Sequence, residues 1–183
     1  IIDLGADFRL KNPDNWLKYY KGEYAGSWTY GLPELHGQKI YISKSKHVAN
    51  PGCYATIINL SLAPFIQSDV VDLNLISVVA TSGTTGAGKN VNQNLLASEV
   101  MGSISNYKME GQHQHIPEIE ERNISTNEVL DSNNAKFNIF LDENTQQITI
   151  VGVIDNLIKG AAGQAIQNLN IMNNLHEKTG LSK

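Results

Sequence analysis

The stretch HVANPGCYAT, residues 47–56, holds the only cysteine of the chain and places it where a turn becomes a helix. Pro51 and Gly52 indicate the turn, and residues 55–65 repeat apolar side chains at helical spacing. Cys53 therefore falls in the first helical turn, where free N–H groups and the positive end of the helix dipole favour the nucleophilic thiolate. Free cysteines are also among the most buried residues, so a small core residue is the alternative. The local pattern leaves both interpretations open.

Composition favours a globular protein. The chain has 183 residues, 41% hydrophobic and 17% charged, enough to bury a core as a single domain spanning residues 1–183. A net charge of −4 with scattered Lys and Arg argues against a nucleic-acid partner. One cysteine excludes an internal disulfide, and the sequence shows neither a leader pattern nor a long apolar span. We expect a cytoplasmic protein with no membrane partner.

Periodicity and turn residues predict the remaining elements. The predicted strands are residues 1–4, 40–42, 47–49, a buried strand at 75–81, and a hairpin of 137–141 and 148–154. Three helices are predicted. The first is capped by Asn12 and has Trp16, Leu17 and Tyr20 on one face. The second is the helix that begins near Cys53, and the third runs from Asp155 to about Glu177 and has an apolar stripe.

A glycine-rich loop follows the predicted strand at 75–81. Gly83, Gly88 and Lys89 have the spacing of a nucleotide-binding P-loop, but Asn90 stands where a Ser or Thr hydroxyl must hold Mg²⁺. The loop can still approach an anion closely through its N–H groups. A plain connection with a solvated lysine is the alternative.

Two histidines stand two residues apart, at His113 and His115, and point the same way on an extended segment. No further His or Cys cluster completes a zinc site. An imidazole can move the proton of a thiol, and a carboxylate such as Glu118 can orient the ring. Surface polar residues before a helix are the alternative.

Three motifs resemble those of the N-acetyl-gamma-glutamyl-phosphate reductase family: NPGCYAT at 50–56, HQHIPEI at 113–119 and DNLIKGAAGQ at 155–164. The resemblance covers nearly the whole chain, and Ile57 and Ser61 depart from it. It implies an α+β fold with a mixed, largely antiparallel sheet covered by helices, like the C-terminal domain of glyceraldehyde-3-phosphate dehydrogenase. The dinucleotide-binding domain is then absent from this chain.

The resemblance also implies a mechanism, in which the Cys53 thiolate attacks an acyl phosphate and the thioester is reduced by NADPH to a semialdehyde in arginine biosynthesis. The same match implies roles for further residues. His113 is the expected acid-base residue, with His115 as the alternative, and Glu118 orients the imidazole. The expected cofactor contacts are Ser82, Gly83 and Asn156, and the expected substrate contacts are Arg9, Asn50 and Lys89. On residue type alone, a surface ion pair of Arg9 with Asp7 is the favoured interpretation, and the resemblance shifts the balance toward a substrate contact.

The resemblance further leads us to expect a partial chain. Residues 1–10 resemble the strand by which the family's chain leaves its dinucleotide-binding domain. Residues 155–178 resemble the helix that docks back on that domain. Relative to the family, we expect the chain to be shortened internally near residues 122–124. We expect such a chain to fold but to show no reductase activity. Its exposed helix stripe favours a homo-oligomer, a dimer or a tetramer.

Other functions stay open at this point. An enzyme like aspartate-semialdehyde dehydrogenase shares the reaction type. A cofactor-free cysteine acyltransferase or hydrolase can use the same Cys53 and His113. A P-loop hydrolase binding at Lys89 and a non-enzymatic assembly module are the remaining alternatives.

Overall fold

The structure is a computed structural model that describes residues 1–20, 22–83 and 128–181. The chain divides into two compact units. The first comprises Ile1–Val71 and Ile124–Lys183, and the second comprises Asp72–Asn123.

In the first unit, short strands alternate with helices before a long hairpin leads into the last helix. The elements are β1 (Ile2–Asp3), α1 (Pro13–Tyr19), β2 (Thr29–Tyr30), α2 (Gln38–Lys44), β3 (Val48–Ala49), α3 (Cys53–Gln67), β4 (Ala135–Asp142), β5 (Gln147–Ile154), a π-helix (Ile158–Ala162) and α4 (Gly163–Met172).

A small parallel sheet leads the chain to the cysteine. Its order is β1-β3-β2, and Val48 of the central strand pairs with Ile2 on one side and Thr29 on the other. Val48 is fully buried with Ile42 and Ile171, which form the core between the sheet, α2 and α4. The central strand ends at Ala49, so the turn to α3 starts directly from the core.

The hairpin of β4 and β5 supports the other side of α3. The two strands pair in antiparallel register from Ala135 with Ile154 to Asp142 with Gln147, which confirms the predicted hairpin. Gly152 of β5 leaves room for α3: a Cβ built on it would lie 2.9 Å from Cδ1 of Ile57. The bulky Ile57, a departure from the family pattern, thus packs where the opposing residue has no side chain.

Helix α1 forms for the predicted reason, since the Asn12 side chain accepts a hydrogen bond from the N–H of Asp14 at 2.9 Å. Trp16 is buried and stacks on Tyr20 with ring centroids 4.6 Å apart. Of the three residues predicted to share a face, Trp16 alone is buried, while Leu17 is 67% and Tyr20 42% exposed.

Two predicted strands are corrected. Residues 40–42 belong to helix α2, which begins after Gly37 in the left-handed conformation. Ile42 alone of the three is buried, while Ile40 and Tyr41 face solvent, so tertiary packing overrides β-propensity there.

The run 75–81 is the second correction. The second unit begins with a 3₁₀ turn at Leu73–Leu75, capped by the Asp72 carboxylate, and residues 76–83 form no strand with any other described residue. Leu75 and Val79 are exposed, so the apolar run does not form the buried strand that its composition predicts.

The predicted mixture of helices and strands is confirmed. The strands within the described ranges form two sheets, one parallel and one antiparallel, rather than one mixed sheet. No helix in the described part of the chain is long and apolar enough to span a membrane.

Candidate active site

Cys53 is the first residue of α3, as the sequence predicts, and its side chain is half-buried. Gly52 is the N-cap, and no side chain caps this end. The first main-chain bond of the helix runs from the N–H of Thr56 to the carbonyl of Gly52 at 2.8 Å. The three preceding N–H groups, starting with that of Cys53 itself, have no acceptor within the helix, which is the arrangement that binds developing negative charge.

The π-helix lies directly against the cysteine. A Cβ built on Gly160 would lie 2.7 Å from Cβ and 3.3 Å from Cα of Cys53. The N–H of Gly160 donates to the carbonyl of Asp155 at 2.9 Å, which is the wide i to i−5 turn of a π-helix. Any residue but glycine would push these two segments apart.

Asn50 ties the cysteine turn to both C-terminal helices. Its Nδ2 donates to the carbonyl of Ala161 at 3.1 Å, and its Oδ1 accepts from Nδ2 of Asn168 at 3.0 Å. Asn168 also donates to the carbonyl of Gly31 at 2.8 Å. Asn50 is 1% and Asn168 0% exposed, so this bridge is shielded from water.

Arg9 holds the same turn from the N-terminal side. Its Nε donates to the carbonyl of Asn50 at 2.7 Å, and its Nη2 donates to the carbonyl of Leu4 at 2.8 Å. A Cβ built on Gly52 would lie 3.1 Å from Nη1, so the guanidinium is adjacent to the residue before Cys53. Burial raises the pKa of nearby Tyr30, and the Arg9 charge partly opposes that rise.

Asp155 and Asn156 connect β5 to the π-helix. Oδ1 of Asp155 accepts from the N–H groups of Leu157 and Ile158, and its Oδ2 accepts from the N–H of Asp131. Burial, the largest single effect, would raise the pKa of Asp155, but the three N–H donors together outweigh it and the pKa lies below 3.8. Asn156 is half-buried, four residues before Gly160.

A buried cation lies beside the contact glycine. Lys159 is 2% exposed, and its Nζ lies 2.6 Å from Oε1 of Glu34 and 2.9 Å from Oε1 of Gln167. Burial lowers the pKa of this lysine, whereas the Glu34 and Glu177 carboxylates act in the opposite direction.

The remaining predicted site residues lie elsewhere in the chain. Ser82 and Gly83 belong to the second unit and are exposed, and the Ser82 hydroxyl donates to the carbonyl of Gly83 at 2.9 Å. Four predicted residues lie outside the described residues: Lys89, His113, His115 and Glu118. The described ranges contain no cluster of three or more His, Cys, Asp or Glu side chains able to hold a metal ion.

Sequence reasoning missed the buried polar face of α4. It followed the apolar stripe of that helix, yet Leu169 is 49% exposed, whereas Gln164, Gln167 and Asn168 are buried. The signal was present, because Gln164, Asn168 and Ile171 recur at helical spacing on one face.

The segment that begins at the cysteine matches a known family model. Residues 53–124 match the model described as "Semialdehyde dehydrogenase, dimerisation domain". This match and the mixture of helices and small sheets are compatible with the C-terminal domain of a semialdehyde dehydrogenase.

The relatives narrow this class. Proteins named N-acetyl-gamma-glutamyl-phosphate reductase from Acidothermus cellulolyticus, Salinispora tropica and Streptomyces avermitilis are 39%, 37% and 34% identical to this chain. Each comparison covers 100% of this chain and 71% of the relative. The chain belongs to the N-acetyl-gamma-glutamyl-phosphate reductase family, which confirms the resemblance. The Acidothermus alignment spans 246 residues, so that relative has residues without a counterpart in this chain of 183.

Proposed function

We propose that this chain carries the catalytic machinery of an N-acetyl-gamma-glutamyl-phosphate reductase of arginine biosynthesis, with Cys53 as its nucleophile. The observation that carries the proposal is the position of Cys53 at the open N-terminus of α3, where Gly160 packs against its Cβ. A nucleophile needs both a group that stabilises negative charge and a fixed direction of attack. The family membership supplies the substrate class.

In the proposed first step, the Cys53 thiolate attacks the carbonyl carbon of the acyl phosphate. A carbon–sulfur bond forms, the carbon–oxygen bond to phosphate breaks, and inorganic phosphate leaves. The N–H groups of the first turn of α3 stabilise negative charge near the sulfur. The product of this step is an N-acetyl-glutamyl thioester on Cys53.

Arg9 and Asn50 take different parts in this proposal. The Arg9 guanidinium lies beside Gly52, where its charge attracts the anionic substrate. Asn50 uses Nδ2 for Ala161 and Oδ1 for Asn168, so we assign it to holding the cysteine turn rather than to a direct substrate contact. Lys89 is assigned to the leaving phosphate from the resemblance.

Proton transfer is assigned to His113, with His115 as the alternative and Glu118 as the orienting carboxylate. These assignments rest on the HQHIPEI motif of residues 113–119. An imidazole titrates near neutral pH and can accept the thiol proton before attack and return one to the product oxygen.

The proposed cofactor is NADPH, with Ser82, Gly83 and Asn156 as its contacts. The position of Asn156 supports this proposal, because this half-buried residue begins the segment that ends at Gly160, whose Cα lies against Cys53. When bound, the reduced nicotinamide supplies the hydride that converts such a thioester into the semialdehyde and frees Cys53. The protein's part is to hold the thioester in place and shield it from water.

We further propose that most of the cofactor surface belongs to a dinucleotide domain outside this chain. The chain has no strand-linked G-x-G-x-x-G fingerprint, and it covers 71% of its relatives' length. We place the internal shortening near residues 122–124. The family model names a dimerisation domain, so a homodimer or tetramer is the proposed assembly.

The test is NADPH oxidation with N-acetyl-gamma-glutamyl phosphate, run on this chain, on Cys53→Ser, and on a version extended by the dinucleotide domain of a relative. We expect turnover from the extended version, none from its Cys53→Ser variant, and none from this chain alone. Comparable rates from this chain and the extended version would overturn the division between domains. Thioester or ester hydrolysis without NADPH would instead favour the cofactor-free cysteine enzyme.

A further inference from the structure

Burying the Lys159 side chain costs desolvation free energy, and the proposed mechanism assigns this residue no role. Its side chain is 3% exposed, while that of its partner Glu34 is 35% exposed. Ion pairs taken out of water gain little net stability, because desolvation offsets the attraction between the charges. A role other than stability is therefore needed to explain the lysine.

The lysine belongs to a group of five side chains, which we call the Lys159 cluster: Lys159, Glu34, Gln167, Asn133 and Glu177. Gln167 is its hub. Its Oε1 accepts from Lys159 Nζ at 2.9 Å and from Asn133 Nδ2 at 2.9 Å, and its Nε2 lies 3.1 Å from Glu34 Oε1 and 3.2 Å from Glu177 Oε2. The cluster joins the π-helix to α4, to the loop after β2 and to the segment before β4.

The Lys159 cluster holds the residue that precedes Gly160, the glycine in contact with Cys53. Lys159 directly precedes Gly160, and both are buried within the same wide turn. A π-turn contains about one more residue per turn than an α-turn, is rare, and often occurs at functional sites. Fixing the Lys159 ammonium to Glu34 on another segment fixes where Gly160 meets Cys53.

We propose that Lys159 and Glu34 form a positioning pair that sets the contact of Gly160 with Cys53, and thereby the place of the nucleophile. The pair acts through the main chain of residues 159–160 and contacts neither substrate nor cofactor. This extends the proposed function, but the contact itself can be measured without any reductase activity.

The single cysteine gives a direct probe. A ¹³C label on cysteine Cβ produces one resonance, and it reports on the atom that Gly160 approaches. The variants are Lys159→Met, Glu34→Gln and the double variant Lys159→Met/Glu34→Met, which leaves no unpaired charge. The control is Lys136→Met, which breaks an exposed Lys136–Glu128 pair of 2.7 Å on the hairpin.

We expect Lys159→Met and Glu34→Gln to displace the Cys53 Cβ resonance by more than its linewidth, and the control to leave it in place. The double variant should recover thermal stability relative to Lys159→Met while its resonance stays displaced, since packing alone does not replace the positioning bonds. A resonance that returns to its original position in the stable double variant, or one that no variant moves, would overturn the proposal. If Lys159→Met does not fold, the other two variants decide.

A kinetic measurement on the extended version then separates this proposal from the proposed function. We expect Lys159→Met to lower kcat by about 10-fold or more with little change in KM, because binding survives while the nucleophile is misplaced. Equal kcat in the variant and the parent would contradict positioning. No turnover in the parent itself would contradict the proposed function, while the Cβ resonance would still test the pair.

Discussion

Gly160 meets Cys53 so closely that a methyl group on its Cα would come within 2.7 Å of the cysteine Cβ. The contact joins the start of α3 to the π-helix, and its two residues are 107 positions apart in the chain. It explains why a glycine must stand in the KGA segment of residues 159–161.

Gly160→Ala should therefore separate the two elements. Overpacking of this kind costs about 1–3 kcal/mol of unfolding free energy, and we expect a lower melting temperature with slower alkylation of Cys53 by iodoacetamide. Ala162→Ser, in the same π-helix but exposed, is the control and should change neither quantity. Alkylation at the parental rate in Gly160→Ala would show that the contact does not govern the thiol.

Asn168→Ala should loosen the turn that leads to Cys53. The variant leaves the buried carbonyl of Gly31 and Oδ1 of Asn50 without their donor, at about 1–3 kcal/mol for each unsatisfied group. Asn173→Ala is the matched control, since it removes an exposed amide that donates to the carbonyl of Leu169. Urea unfolding measures both. Similar losses in the two variants would contradict the importance of the buried bridge.

Asp155 should make stability depend on pH in the acid range. Its folded-state pKa lies below the ordinary 3.8, so the carboxylate stabilises the fold fully above that value and loses its contribution as the pH falls through the folded pKa. Asp155→Asn should lose less unfolding free energy than the parent between about pH 6 and about pH 3. Urea midpoints at both pH values test this. Parallel losses would show that the three N–H bonds do not stabilise the charged form.

The exposed apolar side chains of the last helix and of Leu157, which precedes the π-helix, should promote association. Leu157, Ile166 and Leu169 are 56%, 40% and 49% exposed, although each is a large hydrophobic residue. Leu169→Glu should shift the mass measured by light scattering toward the monomer. Leu130→Glu is the control: it changes a leucine that is 62% exposed and lies away from this helix, and it should leave the mass unchanged. A monomer at all concentrations in the parent would contradict the expectation.

Local signals predicted the elements that position Cys53. The Pro51-Gly52 turn and the helical spacing after it placed Cys53 at a helix start, and the polar turn at 142–144 placed the hairpin. These features depend on neighbours in sequence, which is why one sequence suffices to find them.

The features that were missed depend on tertiary contacts. The run 40–42 has β-branched residues, but packing of Ile42 alone against the core makes it a helix. The pairing of Lys159 with Glu34 joins residues 125 positions apart in the chain, and no local pattern in either segment indicates the other. The apolar stripe of α4 misled for the same reason, because a buried polar face forms only when partners such as Asn50 and Gly31 are in place.

The proposed function depends above all on the acylation of Cys53 by an acyl phosphate. The most direct test is intact-mass measurement of this chain after incubation with N-acetyl-gamma-glutamyl phosphate, with phosphate release followed in parallel. We predict the mass gain of one N-acetyl-glutamyl group, located on Cys53 by peptide mapping, with an equivalent release of phosphate and neither event in Cys53→Ser. Acylation of another residue, or phosphate release that continues at the same rate in Cys53→Ser, would contradict the account.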